Sequence, residues 1–255
     1  MLGYPTNDET GLGGSNGRYN YFANDGIIMW TTATGAWSVH GAVLNHYQAL
    51  GGPYGFLGFP TSNETSTGDA TGRYNTFQGG NAYWSPSSGA RSIHGAILGD
   101  YLANGGPTGV LGYPTTDETG LAGTNGRYNY FSNDGIIMWS PATGSAYVTG
   151  PILNHYQALG GPYGFLGFPT SNQIETPDKT GAANYFQGGM VYSSVAGAWS
   201  IHGAILGTWQ SIGWESSPLG YPTGDEYAIA GGTEENFQHG YITWSAVTDI
   251  THVFG

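Results

Sequence analysis

The sequence predicts a mainly β fold built from five copies of one unit, and three observations carry that expectation. The pentapeptide Leu-Gly-aromatic-Pro-Thr recurs at Leu2–Thr6, Leu57–Thr61, Leu111–Thr115, Leu166–Thr170 and Leu219–Thr223, at successive spacings of 55, 54, 55 and 53 residues. Such a fixed period is the mark of a repeat array. Between the pentapeptides, apolar and aromatic segments alternate with short Asn/Asp/Gly turns, which is a hairpin pattern. A glycine-stopped apolar stretch then closes each of the first four units. The 255 residues divide into repeats at 2–56, 57–110, 111–165, 166–218 and 219–255, taken as one domain. Segment 44–63 is identical to 153–172, and 24–30 to 133–139, so the first two repeats look duplicated as a pair.

Within a unit, the motif turn and a loop lead to a strand at 17–22, a tight turn at Asn24-Asp25-Gly26, and a second strand ending in Trp30. Trp84, Trp139 and Trp244 hold the same place in three other repeats. A third strand is expected at 36–40, after the turn Ala33-Thr34-Gly35. At 42–50, Val43, Leu44, Tyr47 and Leu50 fall on one helical face before Gly51-Gly52-Pro53 stops the helix. The fifth repeat ends at Gly255, in sequence register with Gly41, and so lacks this helix. A unit of three short strands and one helix buries no core alone, so its neighbours must supply the other wall. Closure into a five-bladed, β-propeller-like ring would remove exposed strand edges. An open solenoid is the alternative.

Composition narrows the function. The chain holds 46 Gly and 37 aromatic residues, and 5 Lys plus Arg against 17 Asp plus Glu, a formal charge of -12. Nucleic acid and membrane surfaces are poor partners, because both require clustered basic residues. With 0 Cys, disulfides, thiolate metal sites and Cys nucleophiles are excluded. No apolar run approaches the length of a membrane span. No secretory leader precedes the first motif, which reads as cytoplasmic. The histidines His40, His94 and His202 lie in separate repeats without clustered partners, so no metal or other cofactor is expected.

The motif followed by an acid, then Gly-Arg-Tyr-Asn-x-Phe, Gly-x-Ile-x-Trp-Ser and Ala-Trp-Ser-Val-His-Gly-Ala, resembles the LGFP repeat across essentially the whole chain. Members of that family are tandem modules attached to cell-envelope enzymes such as mycoloyltransferases and amidases, thought to hold them on cell-wall polysaccharide. The resemblance implies a secreted or cell-envelope carbohydrate-binding array that does no catalysis itself. Here the array has no attached catalytic domain, which looks like a free-standing lectin for neutral glycans.

Several constellations are candidates for the sugar sites. Glu9, Glu64 and Glu118 follow the motif in repeats that also carry Arg18, Arg73 and Arg127, whereas the fourth repeat has Gln173 and Ala182 instead. Joint loss suggests a bidentate Glu–Arg pair within each unit; the fifth repeat, with Glu226 but Thr233, weakens that inference. The pair either pins the loop to the hairpin or presents donors and acceptors to vicinal hydroxyls. Strand alternation puts Arg18, Asn20 and Phe22 on the core face, and Tyr19, Tyr74 and Tyr128 on the other. The Trp30 series reads as core. Trp37, Arg91 and Trp199 share a third-strand position that also tolerates Ala146. They are either exposed stacking platforms for a pyranose or fillers between blades, and the sugar sites are expected to be lined by them together with Tyr19, Tyr74 and Tyr128, the histidines His40, His94 and His202, and the Glu–Arg pairs. A structural or protein-interaction scaffold is the second reading, and a glycoside hydrolase using the Asp-Glu pairs the third; adjacent carboxylates rarely converge on one substrate.

Overall fold

The structure, a computed structural model, describes residues 2–255. Packing divides it into two compact units, one through Asn133 and one from Asp134. Each repeat forms a four-stranded antiparallel sheet whose strands follow chain order. In the first repeat these are β1 (Thr10–Gly11), β2 (Arg18–Phe22), β3 (Gly26–Thr31) and β4 (Gly35–His40). The expectation of three strands is corrected to four. The extra one is the two-residue β1, pairing Thr10 with Tyr19 and Gly11 with Arg18; it is too short and polar to show as an apolar run. Helix α1 (Gly41–Ala49) follows, with α2 (Gly95–Ala103), α3 (Gly150–Ala158) and α4 (Gly203–Ile212) in the next three repeats. The corner from the last strand into the helix is cut by a glycine at φ 54–56°, at Gly41, Gly95, Gly150 and Gly203. That backbone region strains any residue with a Cβ.

Each helix lies against the sheet of the repeat that follows it. Tyr47 stacks on Phe77 with ring centroids 4.7 Å apart and donates to the Gly58 carbonyl at 2.7 Å. Tyr101 does the same with Phe131 and Gly112, and Tyr156 with Phe186 and Gly167. In α4 the residue is Trp209, which packs on Phe237 and donates Nε1–H to Gly220 at 3.2 Å. The cores are therefore shared between repeats: Ile27, Met29, Val39, Val43 and Tyr47 cluster with Leu57, Phe77 and Ala82 of the next. Burying one such side chain contributes about 1.5–3 kcal/mol by transfer from water. An isolated repeat would lose that wall.

A second element joins neighbours. The motif aromatic of one repeat inserts into the loop before β2 of the repeat preceding it. Phe59 fills the space beside Gly17, where a Cβ would sit 2.5 Å from its ring. Tyr113 meets Gly72 in the same way, and its hydroxyl reaches Thr67 Oγ1 and Asp69 Oδ1, both at 2.7 Å. Tyr221 repeats this with Thr176 and Asp178, beside Gly181. Tyr113 and Tyr221 are 7% and 5% exposed, whereas Tyr4 at the same position in the first repeat is 86% exposed.

Hydrogen bonds from Thr67 and Tyr113 hold the Asp69 carboxyl down to about 2. A depressed folded pKa contributes stability above the unfolded value, lost as pH falls through the folded one. Tyr113→Phe is therefore expected to lower Tm by a few degrees at neutral pH and to flatten the loss of stability between about pH 4 and pH 2. Thermal melts across that range test it; an unchanged acid limb would refute the coupling.

The fifth repeat departs from the others. Its last strand, Ile250–Phe254, pairs Phe254 with Tyr241, whereas Val39 pairs with Ile27 at the corresponding rung. The turn is one residue longer and passes through Asp249 at φ 55°. The sequence register of Gly255 with Gly41 is thus off by one in space. A one-residue slip reverses which face each side chain occupies, and Val253 and Phe254 are exposed.

Candidate functional site

The residue after the motif threonine and its follower is an amide or acid that straps one repeat to the one before. Asn63 Oδ1 accepts from the Ser38 backbone N–H at 3.0 Å, and Asp117, Asn172 and Asp225 accept from Ser92, Tyr147 and Ser200 at 2.8 Å. The strap sets the next residue, a glutamate in three of these cases, beside the residue that immediately precedes the helix of the preceding repeat. His40 Nε2 lies 3.3 Å from Glu64 Oε1. His94 Nδ1 lies 3.3 Å from Glu118 Oε2, and His202 Nδ1 3.3 Å from Glu226 Oε2. Where the histidine is Thr149, the partner is Gln173, joined to Thr149 Oγ1 at 2.8 Å.

A cleft opens over two of these pairs. One, of about 240 Å³, is lined by His40, Ala42, Val43, Glu64, Arg73 and Trp84. The other, of about 310 Å³, is lined by His202, Ala204, Ile205, Glu226, Trp244 and Asp249. Each has an indole wall, an imidazole–carboxyl pair and the apolar first turn of a helix. Trp244 is held by an Nε1–H bond to Asp249 at 2.9 Å.

Burial pushes the Glu64 carboxyl up to about 7, against the pull of Arg73, and pushes the His40 imidazolium down. Glu118 is raised by burial against Arg127, and His94 is lowered by burial and by the Arg127 charge. Near neutral pH the Glu64 carboxyl is therefore only partly ionised and the His40 imidazole uncharged, while both still offer donors and acceptors beside Arg73. A neutral, hydroxyl-rich ligand loses little on entering such a place.

The LGFP repeat pattern matches this sequence at residues 2–55, 57–109, 111–164, 166–217 and 219–255. The chain belongs to the LGFP repeat family. Membership in the LGFP family is consistent with a repeat-containing, cell-wall-associated binding protein. No curated protein matches it. Among solved structures it is similar to a hemopexin fold protein from cow pea, at 11% identity over 71% of this chain and 81% of the other, TM-score 0.20. It is also similar to apo AztD from Citrobacter koseri, at 9% identity over 98% and 70%, TM-score 0.16. Scores this low leave the fold to be argued from the LGFP repeats themselves.

The other candidate residues of the LGFP array fall in several places. Arg18 Nη1 meets Glu9 Oε1 at 2.8 Å, both well exposed. Arg127 Nη1 meets Glu118 Oε1 at 3.5 Å. The expected bidentate fork is thus a single contact where it forms, and Arg73 acts on Glu64 through its charge. Asn75, Asn129 and Asn184 are buried with Phe77, Phe131 and Phe186, as alternation requires, whereas Arg18, assigned to the same core face, is exposed at the start of its strand. Tyr19 and Tyr128 are half-buried, each edge-on to the tyrosine two residues on, Tyr21 and Tyr130, and Tyr74 stacks on Tyr83. Trp37 and Trp199 are half-buried, their Nε1–H groups tied to the Thr34 and Ala196 carbonyls. Arg91 donates to the Thr115 and Ala90 carbonyls.

The assignment of the Trp30 series to the core holds in part: Trp30 is 38% exposed, whereas Trp84 and Trp244 are half-buried, packed against the core on one side and walling a cleft on the other. Alternation located them on a face but could not say that the face looks onto a gap between LGFP repeats. The His–Glu partnership was also missed, although its signal is present: Thr149 and Gln173 depart together, while His202 and Glu226 persist together beside Thr233.

Proposed function

We propose that this array is a carbohydrate-binding protein, a non-enzymatic lectin that engages neutral glycans or cell-wall polysaccharide through repeated clefts between neighbouring repeats. The cleft at His40, Glu64 and Trp84 supports the reading best. Its indole gives a flat apolar surface for the C–H face of a pyranose, and the imidazole–carboxyl pair stands beside it for the hydroxyls. Single clefts this shallow bind weakly, and several on one chain gain through effective concentration. The five-bladed ring expected from the repeat count belongs to this proposal, and small-angle scattering would test it.

A glycan array followed by calorimetric titration tests the reading directly. Trp84→Ala and Trp244→Ala are expected to remove one ligand each from the stoichiometry. A sugar hydroxyl donates best to an ionised carboxyl, so binding at the first cleft should strengthen by up to about tenfold between pH 6 and pH 8 as Glu64 ionises. Glu64→Gln should abolish that dependence. Absence of any glycan binding at high protein concentration would overturn the lectin reading in favour of a protein-interaction scaffold; released sugar product would show a hydrolase.

A further inference from the structure

The two junction clefts share an indole wall and an imidazole–carboxyl pair but differ in charge. In the first, Arg73 pairs with Trp84 across the hairpin and lines the cleft beside Glu64. In the cleft between the fourth and fifth repeats the residue paired with Trp244 is Thr233, and among the described lining residues there is no Lys or Arg. The lengthened turn of the fifth repeat adds an acid instead. Asp249, exposed and at φ 55°, lines this cleft and accepts the Trp244 indole N–H through one carboxyl oxygen. The matching turn of the second repeat, Pro86-Ser87-Ser88, has no acid.

Acceptors lacking donors collect at this junction. Glu226 lines the cleft with its side chain 10% exposed, and its Oε2, 3.3 Å from His202 Nδ1, has no hydrogen-bond partner among the described residues. The buried Thr233 hydroxyl is unpartnered as well. So are both carboxyl oxygens of the fully buried Glu235, which stands where the second, third and fourth repeats place an asparagine amide. The charges of Glu226 and Asp225 join burial in pushing the Glu235 carboxyl up to about 10, so these acids crowd one another. The two donors that the second repeat sets here, Arg73 and Asn75, have both given way to acceptors in the fifth. Unsatisfied buried acceptors are destabilising, and a local rule broken at such a cost is characteristic of functional sites.

We propose that the cleft between the fourth and fifth repeats takes an amino sugar, a pyranose carrying a free ammonium group, with the ammonium held by Glu226 and Asp249 against the Trp244 indole. An ammonium brings three donors to a place rich in acceptors. Its bonds to carboxylates are charge-assisted, and an indole face attracts it further. The same indole offers a metal ion no ligand atom, since hard cations require oxygen. The inference rests on the lectin reading and refines it at one cleft. The first cleft, with Arg73 beside Glu64, disfavours an ammonium and keeps to neutral sugars.

The test is calorimetric titration of the full chain at pH 7 with glucosamine, N-acetylglucosamine, methyl glucoside and the peptide Gly-Lys-Gly. Glucosamine is expected to bind at one site per chain about tenfold or more tighter than either neutral sugar, from the charge-assisted and cation–π contacts together. Asp249→Asn keeps a residue tolerant of the left-handed backbone and an acceptor for the indole, and should cut that preference about threefold or more by removing one charge. Thr233→Arg installs the arginine of the first three repeats and should abolish the preference. Conversely, Arg73→Thr should raise glucosamine affinity at the first cleft, which keeps the test decisive if Thr233→Arg fails to fold. Equal binding of all three sugars would overturn this inference and leave the lectin reading standing, whereas no binding of any sugar would overturn both. Gly-Lys-Gly binding as tightly as glucosamine would overturn the amino sugar in favour of a site for cationic peptides.

Discussion

Glu235→Asn is expected to raise the stability of the protein and to flatten its dependence on pH between about 5 and 9. In three repeats the corresponding residue is an asparagine whose side-chain amide stitches two repeats together. Asn75 donates to the Ser38 and Ser62 carbonyls, Asn129 to Ser92 and Thr116, and Asn184 to Tyr147 and Ser171, at 2.9–3.3 Å. Glu235 takes this place in the fifth repeat with 0% exposure, and neither carboxyl oxygen has a hydrogen-bond partner among the described residues. Burial, with the nearby charges of Glu226 and Asp225, pushes its carboxyl up to about 10. The folded state therefore keeps a proton that the unfolded chain releases above the ordinary glutamate value, and stability falls as pH rises from there toward the folded pKa. At pH 7 the cost is on the order of 3 kcal/mol. Asparagine removes the titration and supplies the missing donor. Melting curves at pH 5, 7 and 9 should show the variant gaining most at pH 9; an equal effect at all three would mean that Glu235 is not the source.

Trp209→Ala should produce the largest loss. Trp209 is fully buried at the centre of a cluster that includes Tyr192, Leu219, Tyr221, Phe237 and Ile242, with Trp214 packed edge-on at 5.5 Å. Truncating a buried aromatic of this size costs about 3–5 kcal/mol, transfer and cavity together. The Gly220 carbonyl also loses its donor. Trp209→Tyr, the residue type used by Tyr47, Tyr101 and Tyr156, should recover part of the loss because a hydroxyl donor returns. Urea unfolding compares the two; equal losses would show that the helix-to-sheet contact carries less than its burial implies.

Much of the fold is legible because it is local. The motif period, the Asn-Asp-Gly hairpin turn and the glycine that ends each helix act within a few residues, so they appear directly in the chain. What escaped depends on the neighbouring repeat. Trp84 looks like a core residue until the corner Gly41-Ala42 of the previous repeat is seen to leave a gap beside it. His40 and Glu64 are 24 positions apart and belong to different units of the period, so a search for pairs within one unit finds Glu9 with Arg18 instead. The register of the last hairpin turns on Asp249 adopting the left-handed backbone in a lengthened turn, a choice that β propensity does not encode.

The insertion of Phe59 beside Gly17, and of Tyr113 beside Gly72, has a direction: the socket always lies earlier in the chain than the ring that fills it. During synthesis, which proceeds from the N-terminus, a repeat therefore emerges with an open socket and an uncovered helix. It is completed only when the next Leu-Gly-aromatic-Pro segment leaves the ribosome. Folding should advance as a wave one period behind elongation, and a nascent chain arrested just before Phe59 should be far more protease-sensitive than one arrested shortly after the second hairpin is out.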